Sequence, residues 1–226
     1  MATSFDVKAE SGIGGGSSVV NTPITIAANS GRVLIAGVGV FNAAAPTTIT
    51  CKLGAVSMTQ ITSSTDTSGN VRVYLFGLKN PNSGASTIQA VVNVAPSGLV
   101  AAGWSWFNAD STVGWNNSTF ASGTSTSATL TITTNNGDAV VAMAADNNGT
   151  TTPTISNLTS DFEDRAFNGN YHGGHALSSA ASIAAAWNGL NATGVGWTMA
   201  GVNIPQSGAA ATGSNSPNTM TLVGVQ

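Results

Sequence analysis

Both histidines of the chain, His172 and His175, fall in DFEDRAFNGNYHGGHALS (161–178), together with Asp161, Glu163, Asp164 and Arg165. That concentrates three of the nine acidic residues and one of the six basic ones in a single stretch. A histidine pair suggests a metal site, and a carboxylate pair suggests acid–base work on a glycoside. In a strand, residues three apart point to opposite faces, so His172 and His175 cannot jointly grip one ion unless the chain bulges at Gly173-Gly174. Asp161 and Glu163, two apart, would share a face. Productive carboxylate pairs stand roughly 5 to 9.5 Å apart across a sugar and come mostly from different strands. The spacing therefore predicts polar residues in an edge hairpin and a solvated turn, with no catalytic residues, no metal site and no cofactor.

Other reactive groups are few. Cys51 lies in the apolar alternation of TTITCKLG, where a small buried hydrophobe is expected and no disulfide can form within the chain. Trp115, flanked by Asn116 and Asn117, is placed in the stretch joining two halves of the sequence. It either packs at the rim of a core or offers a flat apolar platform to a sugar ring. The glycine-rich SGIGGGSS (11–18) precedes no helix and lacks the third glycine of a dinucleotide-binding turn. Phosphate-loop, zinc-protease, nucleophile-elbow and calcium-loop patterns are not found. The chain reads as a non-enzyme.

The elements that hold these residues read as strands. SFDVKA, TPITIAA, RVLIAGVGVF, TTITCKLG, VRVYLFGL, STIQAVVNV and LVAAGWSWF are short apolar or alternating runs separated by Gly, Pro, Asn and Ser. ALSSAASIAAAW (176–187) has helix-forming composition, but a repeat partner argues for strand. ITIAANSGRVLIAGV (24–38) matches LTITTNNGDAVVAMA (130–144), and APTTIT (45–50) matches TPTIS (152–156). Further matches pair Tyr74 with Tyr171, Ile88 with Ile183, and Trp104 with Trp197, with His172 and His175 at the positions of Leu75 and Leu78. Five blocks in one order imply an internal duplication, with halves at 24–110 and 130–204. The expected fold is all-β, a jelly-roll-like two-sheet antiparallel sandwich with two pseudo-repeated Greek-key halves, in one domain over 1–205. Residues 206–226 read as a flexible arm ending in a short strand, TMTLVGV, that pairs with an edge of its own sandwich or of a neighbour.

Composition narrows the partners. Of 226 residues only 7% are charged, against about 25% in ordinary soluble domains, and the net charge is -3. Six scattered Lys and Arg make no basic stripe for nucleic acid. MATSFDVKAE lacks the basic-then-apolar pattern of a secretory signal, no apolar run is long enough to span a bilayer, and synthesis in a cytoplasm is expected. A Ser/Thr/Asn surface so poor in charge suits a protein packed against neighbours.

The run GRVLIAGVGVFN…TITCKLGAVSMTQI…VRVYLFGLKNPNSGASTIQAVV…AAGWSWFNAD, closed by GVGWTMAGVNIP, resembles a jelly-roll-like β-sandwich family of phage virion (capsid decoration or fibre) and bacterial surface proteins. The likeness spans about 5–205, and its marks are the Leu-Lys-Asn-Pro-x-x-Gly turn (Leu78 to Gly84) and the closing Trp strand. It implies a virion-type structural module with no chemistry of its own; the role expected here is a capsid decoration (cement) protein that binds the major capsid protein and copies of itself, with a trimer as the expected oligomer. The subunit-contact residues of the arm would be Met220, Leu222, Val223 and Val225. The alternative is a carbohydrate- or receptor-binding module of a head fibre or tail, acting through Trp115, Asn116 and Asn117.

Overall fold

The computed structural model describes residues 1–42, 44–147, 152–166, 169–190 and 196–208. The strands of the first half are β1 (Ser4–Glu10), β2 (Val19–Ile26), β3 (Val33–Phe41), β4 (Ile49–Leu53), β5 (Val56–Ser57), β6 (Thr59–Thr65), β7 (Val71–Lys79), β8 (Gly84–Val92) and β9 (Gly98–Phe107). Those of the second half are β10 (Asn116–Gly123), β11 (Ser127–Thr133), β12 (Ala139–Asn147), β13 (Thr154–Ser156), β14 (Thr159–Ala166), β15 (Gly169–Leu177), β16 (Ser182–Asn188) and β17 (Trp197–Ile204). The chain is all-β, as its alternating apolar runs require, and the helix-like stretch near residue 180 is the strand β16.

The two halves repeat one topology. In the first, an inner sheet runs β1-β9-β3-β7-β6 and an outer sheet β2-β8-β4-β5; in the second, the inner sheet is β10-β17-β12-β15-β14 and the outer β11-β16-β13. Among the described residues, only β5 has no counterpart. The jelly-roll-like two-sheet sandwich is therefore built twice, and each copy begins earlier than the matched blocks, at β1 and at β10.

Side-chain alternation sets the layering. On β3, Leu34, Ala36, Val38 and Val40 join Ile24, Ile88 and Val92 in a core beneath the first outer sheet. Val33 and Ile35 point the other way, into a central core shared with Val141, Met143, Tyr171 and Val202 of the second half. Leu130, Ile132, Val140, Ala142, Trp187 and Trp197 fill a third core beneath the second outer sheet. The inner sheets are thus covered on both faces, which is why β3, β9, β12 and β17 are buried almost end to end.

Register separates element matches from residue matches. Val33 and Ala139 begin equivalent strands, so Trp104, opposite Ile35, corresponds to Val202, opposite Val141. Trp197, opposite Asp146, corresponds to Leu99, opposite Val40. Both tryptophans are buried as expected, but in different cores. Tyr171 corresponds to Val73, His172 to Tyr74 and His175 to Gly77, one residue away from the expected alignment. Ile88 corresponds to Trp187 rather than to Ile183.

Candidate functional site

The inner sheets meet along two rims. On one rim β1 and β9 of the first half face β14 and β15 of the second. β1 brings Phe5, Lys8 and Glu10, β9 brings Trp104 and Trp106, β14 brings Asp161, Phe162 and Asp164, and β15 brings His175. Asp161 sits in a bulge of β14, where the register shifts between Ser160 and Phe162. The bulge turns its side chain into the seam, while Glu163 pairs across from His172 on the opposite face of the sheet. Two acids expected on one face are thus separated. The expected solvated turn does not hold for Asp161, whose side chain is only 2% exposed.

Asp161 is the hub of this rim. Its Oδ2 accepts from the Trp104 indole N–H at 2.6 Å and faces His175 Nδ1 at 2.7 Å. Lys8 Nζ lies 3.6 Å from its Oδ1 and donates to its backbone carbonyl. The His175 ring stacks on Phe5 with centroids 4.1 Å apart and meets Trp106 edge-on at 5.5 Å. A buried carboxylate needs such partners, and here they come from both halves. Burial, then Asp164 and Asp161, hold the Glu10 carboxyl above its ordinary range against the opposing pull of Lys8. Burial also raises Asp164, which His172 partly offsets. A cavity of about 220 Å³ opens here, walled by Lys8, Ala9, Glu10, Trp104, Asp161 and Phe162.

The opposite rim occupies equivalent positions without charge. β6 carries the same bulge, between Gln60 and Thr62, so Ile61 stands where Asp161 does. Phe120, opposite Ala200, stands where Glu10 does, opposite Ala102. Gly77 replaces His175, and the Trp115 ring lies against it.

His172 lies on the other face of β15 from His175, as alternation requires. Far from being a loose hairpin residue, it is 1% exposed, with Nε2 3.5 Å from Asp146 Oδ2 and hydrogen-bond geometry at neither ring nitrogen. Asn170 Nδ2 donates to the same Asp146 carboxylate at 3.3 Å. Among the described residues no group of three His, Cys, Asp or Glu is placed to hold a metal ion.

Trp115, Asn116 and Asn117 lead into β10. The Trp115 ring is half-buried, with Lys79 Nζ 5.5 Å from its centre. Asn116 Oδ1 accepts from Asn203 at 2.7 Å, and Asn117 Nδ2 donates to the Thr133 carbonyl at 3.2 Å. Cys51 is buried beside Met58, its Sγ 3.6 Å from Met58 Sδ. Gln206 and Ser207, expected in the linker, are tied to the body through Asp138 Oδ1 and the Asn108 carbonyl. Met220, Leu222, Val223 and Val225 lie outside the described residues.

Sequence reasoning missed the site because its members are dispersed. Lys8, Trp104 and Asp161 are distant in sequence, and the bulge that turns Asp161 inward leaves no pattern in DFEDRAF. One signal was present, the contrast between polar TSDFEDR and its counterpart TQITSST. No family model, no curated protein and no solved structure matches the chain.

Proposed function

We propose that the chain is a structural protein of a phage particle, a capsid decoration protein that ties neighbouring shell subunits together and associates with copies of itself. One observation supports this reading above the others. The seven strands of the two outer sheets carry a single charged residue, Lys52. Their outward faces present Asn21, Thr25, Thr129, Thr131, Thr133 and Ser182, all exposed. The other charges lie elsewhere, and several are engaged within the chain, as where Arg32 donates to the Pro81 carbonyl at 2.7 Å and Asp138 accepts from Asn203 at 2.9 Å. A neutral hydroxyl-rich sheet docks without stripping water from ions, a cost of several kcal/mol per unpaired ion, and its hydroxyls supply hydrogen bonds to a partner. That suits many repeated, permanent contacts better than a transient, electrostatically steered encounter.

The test is the amount of this chain in purified particles, by gel densitometry against the major shell protein. A decoration role requires a copy number comparable to that of the shell protein. A few copies per particle, or none, would reject it.

A further inference from the structure

The ammonium of Lys8 and the carboxylate of Asp161 come from different halves of the chain and meet across the β1/β14 rim. We propose that the folded chain joins them by an amide bond between Lys8 Nζ and Asp161 Cγ, with release of one water. The bond would tie the first strand of one sandwich to an edge strand of the other, and it does not depend on the decoration role.

The condensation needs three things, and the rim supplies each. The first is proximity. Lys8 Nζ donates to the main-chain carbonyl of Asp161 and lies 3.6 Å from Oδ1 of the same residue. A small rotation of the lysine stem brings it to the ~3 to 3.5 Å at which a held nucleophile attacks. Placement of that kind replaces an effective concentration of about 10⁵ M or more. The second is a polarised carboxyl group. The Trp104 indole N–H at 2.6 Å and His175 Nδ1 at 2.7 Å both converge on Oδ2 of Asp161. They stand where charge develops when an amine adds to Cγ, as the donors of an oxyanion hole do, and they leave Oδ1 to the Lys8 side. The third is a proton carrier. Glu10 lies two residues from Lys8 on the same face of β1 and borders the same cavity of about 220 Å³. It makes no side-chain hydrogen bond or ion pair among the described residues. Its carboxyl group, raised by burial, Asp164 and Asp161, accepts a proton more readily than an ordinary carboxylate. The fold does not demand these residues, since Ile61 and Phe120 occupy the positions of Asp161 and Glu10 on the opposite rim.

The ammonium and the carboxylate contain every atom of the products. Glu10 takes one proton from the Lys8 ammonium and passes it to Asp161 Oδ1. The freed electron pair on Nζ bonds to Cγ, and the carbonyl pair moves onto Oδ2, against Trp104 and His175. A second proton follows from nitrogen through Glu10 to Oδ1. The Cγ–Oδ1 bond then breaks, Oδ2 becomes the amide oxygen with both of its donors retained, and water leaves through the cavity. Lys8, whose side chain is 47% exposed, borders that cavity on its solvent side. The product replaces a buried carboxylate, costly to hold in the seam, by a neutral group.

The test is intact-mass spectrometry of the full chain, incubated folded at neutral pH and then denatured. Wild type is expected to be lighter than its sequence by one water, and a proteolytic digest to contain one branched peptide joining Lys8 to Asp161. Lys8→Arg keeps the positive charge but has no amine to acylate, so it should show the full sequence mass with a circular dichroism spectrum like that of wild type. Glu10→Gln should reach the same product about a hundredfold more slowly. Full sequence mass in folded wild type after prolonged incubation overturns the proposal, as does a loss of water that persists in Lys8→Arg. Equal rates in Glu10→Gln and wild type overturn the assignment of Glu10 as proton carrier.

Discussion

At the scale of residues, the seam shows how a chain with few charges uses them. Burial raises the carboxyl groups of Glu10 and Asp164; at Glu10 the neighbouring acids Asp164 and Asp161 add to it, and at Asp164 His172 partly offsets it. A group whose pKa is higher folded than unfolded contributes stability that is complete below its unfolded value and is lost as pH rises through the folded one. Wild type should therefore lose melting temperature between mildly acidic and neutral pH relative to Glu10→Gln and Asp164→Asn. At neutral pH both variants should be the more stable, and superimposable profiles would show that these acids are not strained. The tryptophans grade differently. Trp104→Ala and Trp197→Ala each open a cavity in a filled core and should cost about 3 to 5 kcal/mol by denaturant titration. Trp115→Ala should cost clearly less, since its ring is half-buried; equal losses at all three would contradict the layering. Burial of Trp104 and Trp197 was legible in the sequence because large apolar residues in strands seek cores. Their equivalence was not, because strands of one type align by eye at several offsets and only hydrogen-bond register chooses among them.

At the scale of elements, what the sequence reveals depends on how many faces of a strand are covered. β3, β9 and β12 are buried on both sides and announce themselves as apolar runs. β6, β10 and β14 lie at edges of the inner sheets, so TQITSST, NNSTFASG and TSDFEDRA keep polar residues and read as loops. The candidate site hid in that second class. The Asn-x-Gly turns were fully legible. Gly31 and Gly137 have φ of 61° and 89°, and both link an outer strand to an inner one. A Cβ on Gly31 would stand 2.6 Å from the Ala109 carbonyl oxygen, whereas one on Gly137 would meet the movable end of Gln206 at 2.5 Å. Gly31→Ala should therefore destabilise by more than the ~1 to 2 kcal/mol of left-handed strain alone, and Gly137→Ala by about that amount. Thermal melts of the two variants check the order, and a reversed order would mean that the β2–β3 turn relaxes freely.

At the scale of the whole molecule, the duplication is more than a repetition along the chain, because the two copies share a core. β1 packs beside β14, and β10, the counterpart of β1, packs beside β6, the counterpart of β14, so the halves face each other as the subunits of a two-fold dimer would. The apolar alternation could not reveal this, since Val33 and Ile35 look the same whether their partner is a second sheet of one sandwich or a second sandwich. Val33, Ile35, Val73, Leu75 and Trp104 of the first half bury against Val141, Met143, Tyr171 and Val202 of the second. Separating the sandwiches would expose both sides of that layer to water at roughly 25 cal/mol for each Å² of apolar surface. Neither half can then lose its structure while the other keeps its stability, and heat or denaturant should unfold the chain in one step. Tryptophan fluorescence reports the seam through Trp104 and Trp106 and the second outer core through Trp187 and Trp197, so its transition should coincide with that of far-ultraviolet circular dichroism. Residues 1–110 made alone should bury the same face by self-association and sediment as a dimer or larger. Two resolved transitions, or a stable monomer of 1–110, would show that the central layer is a contact between independent units and not a common core.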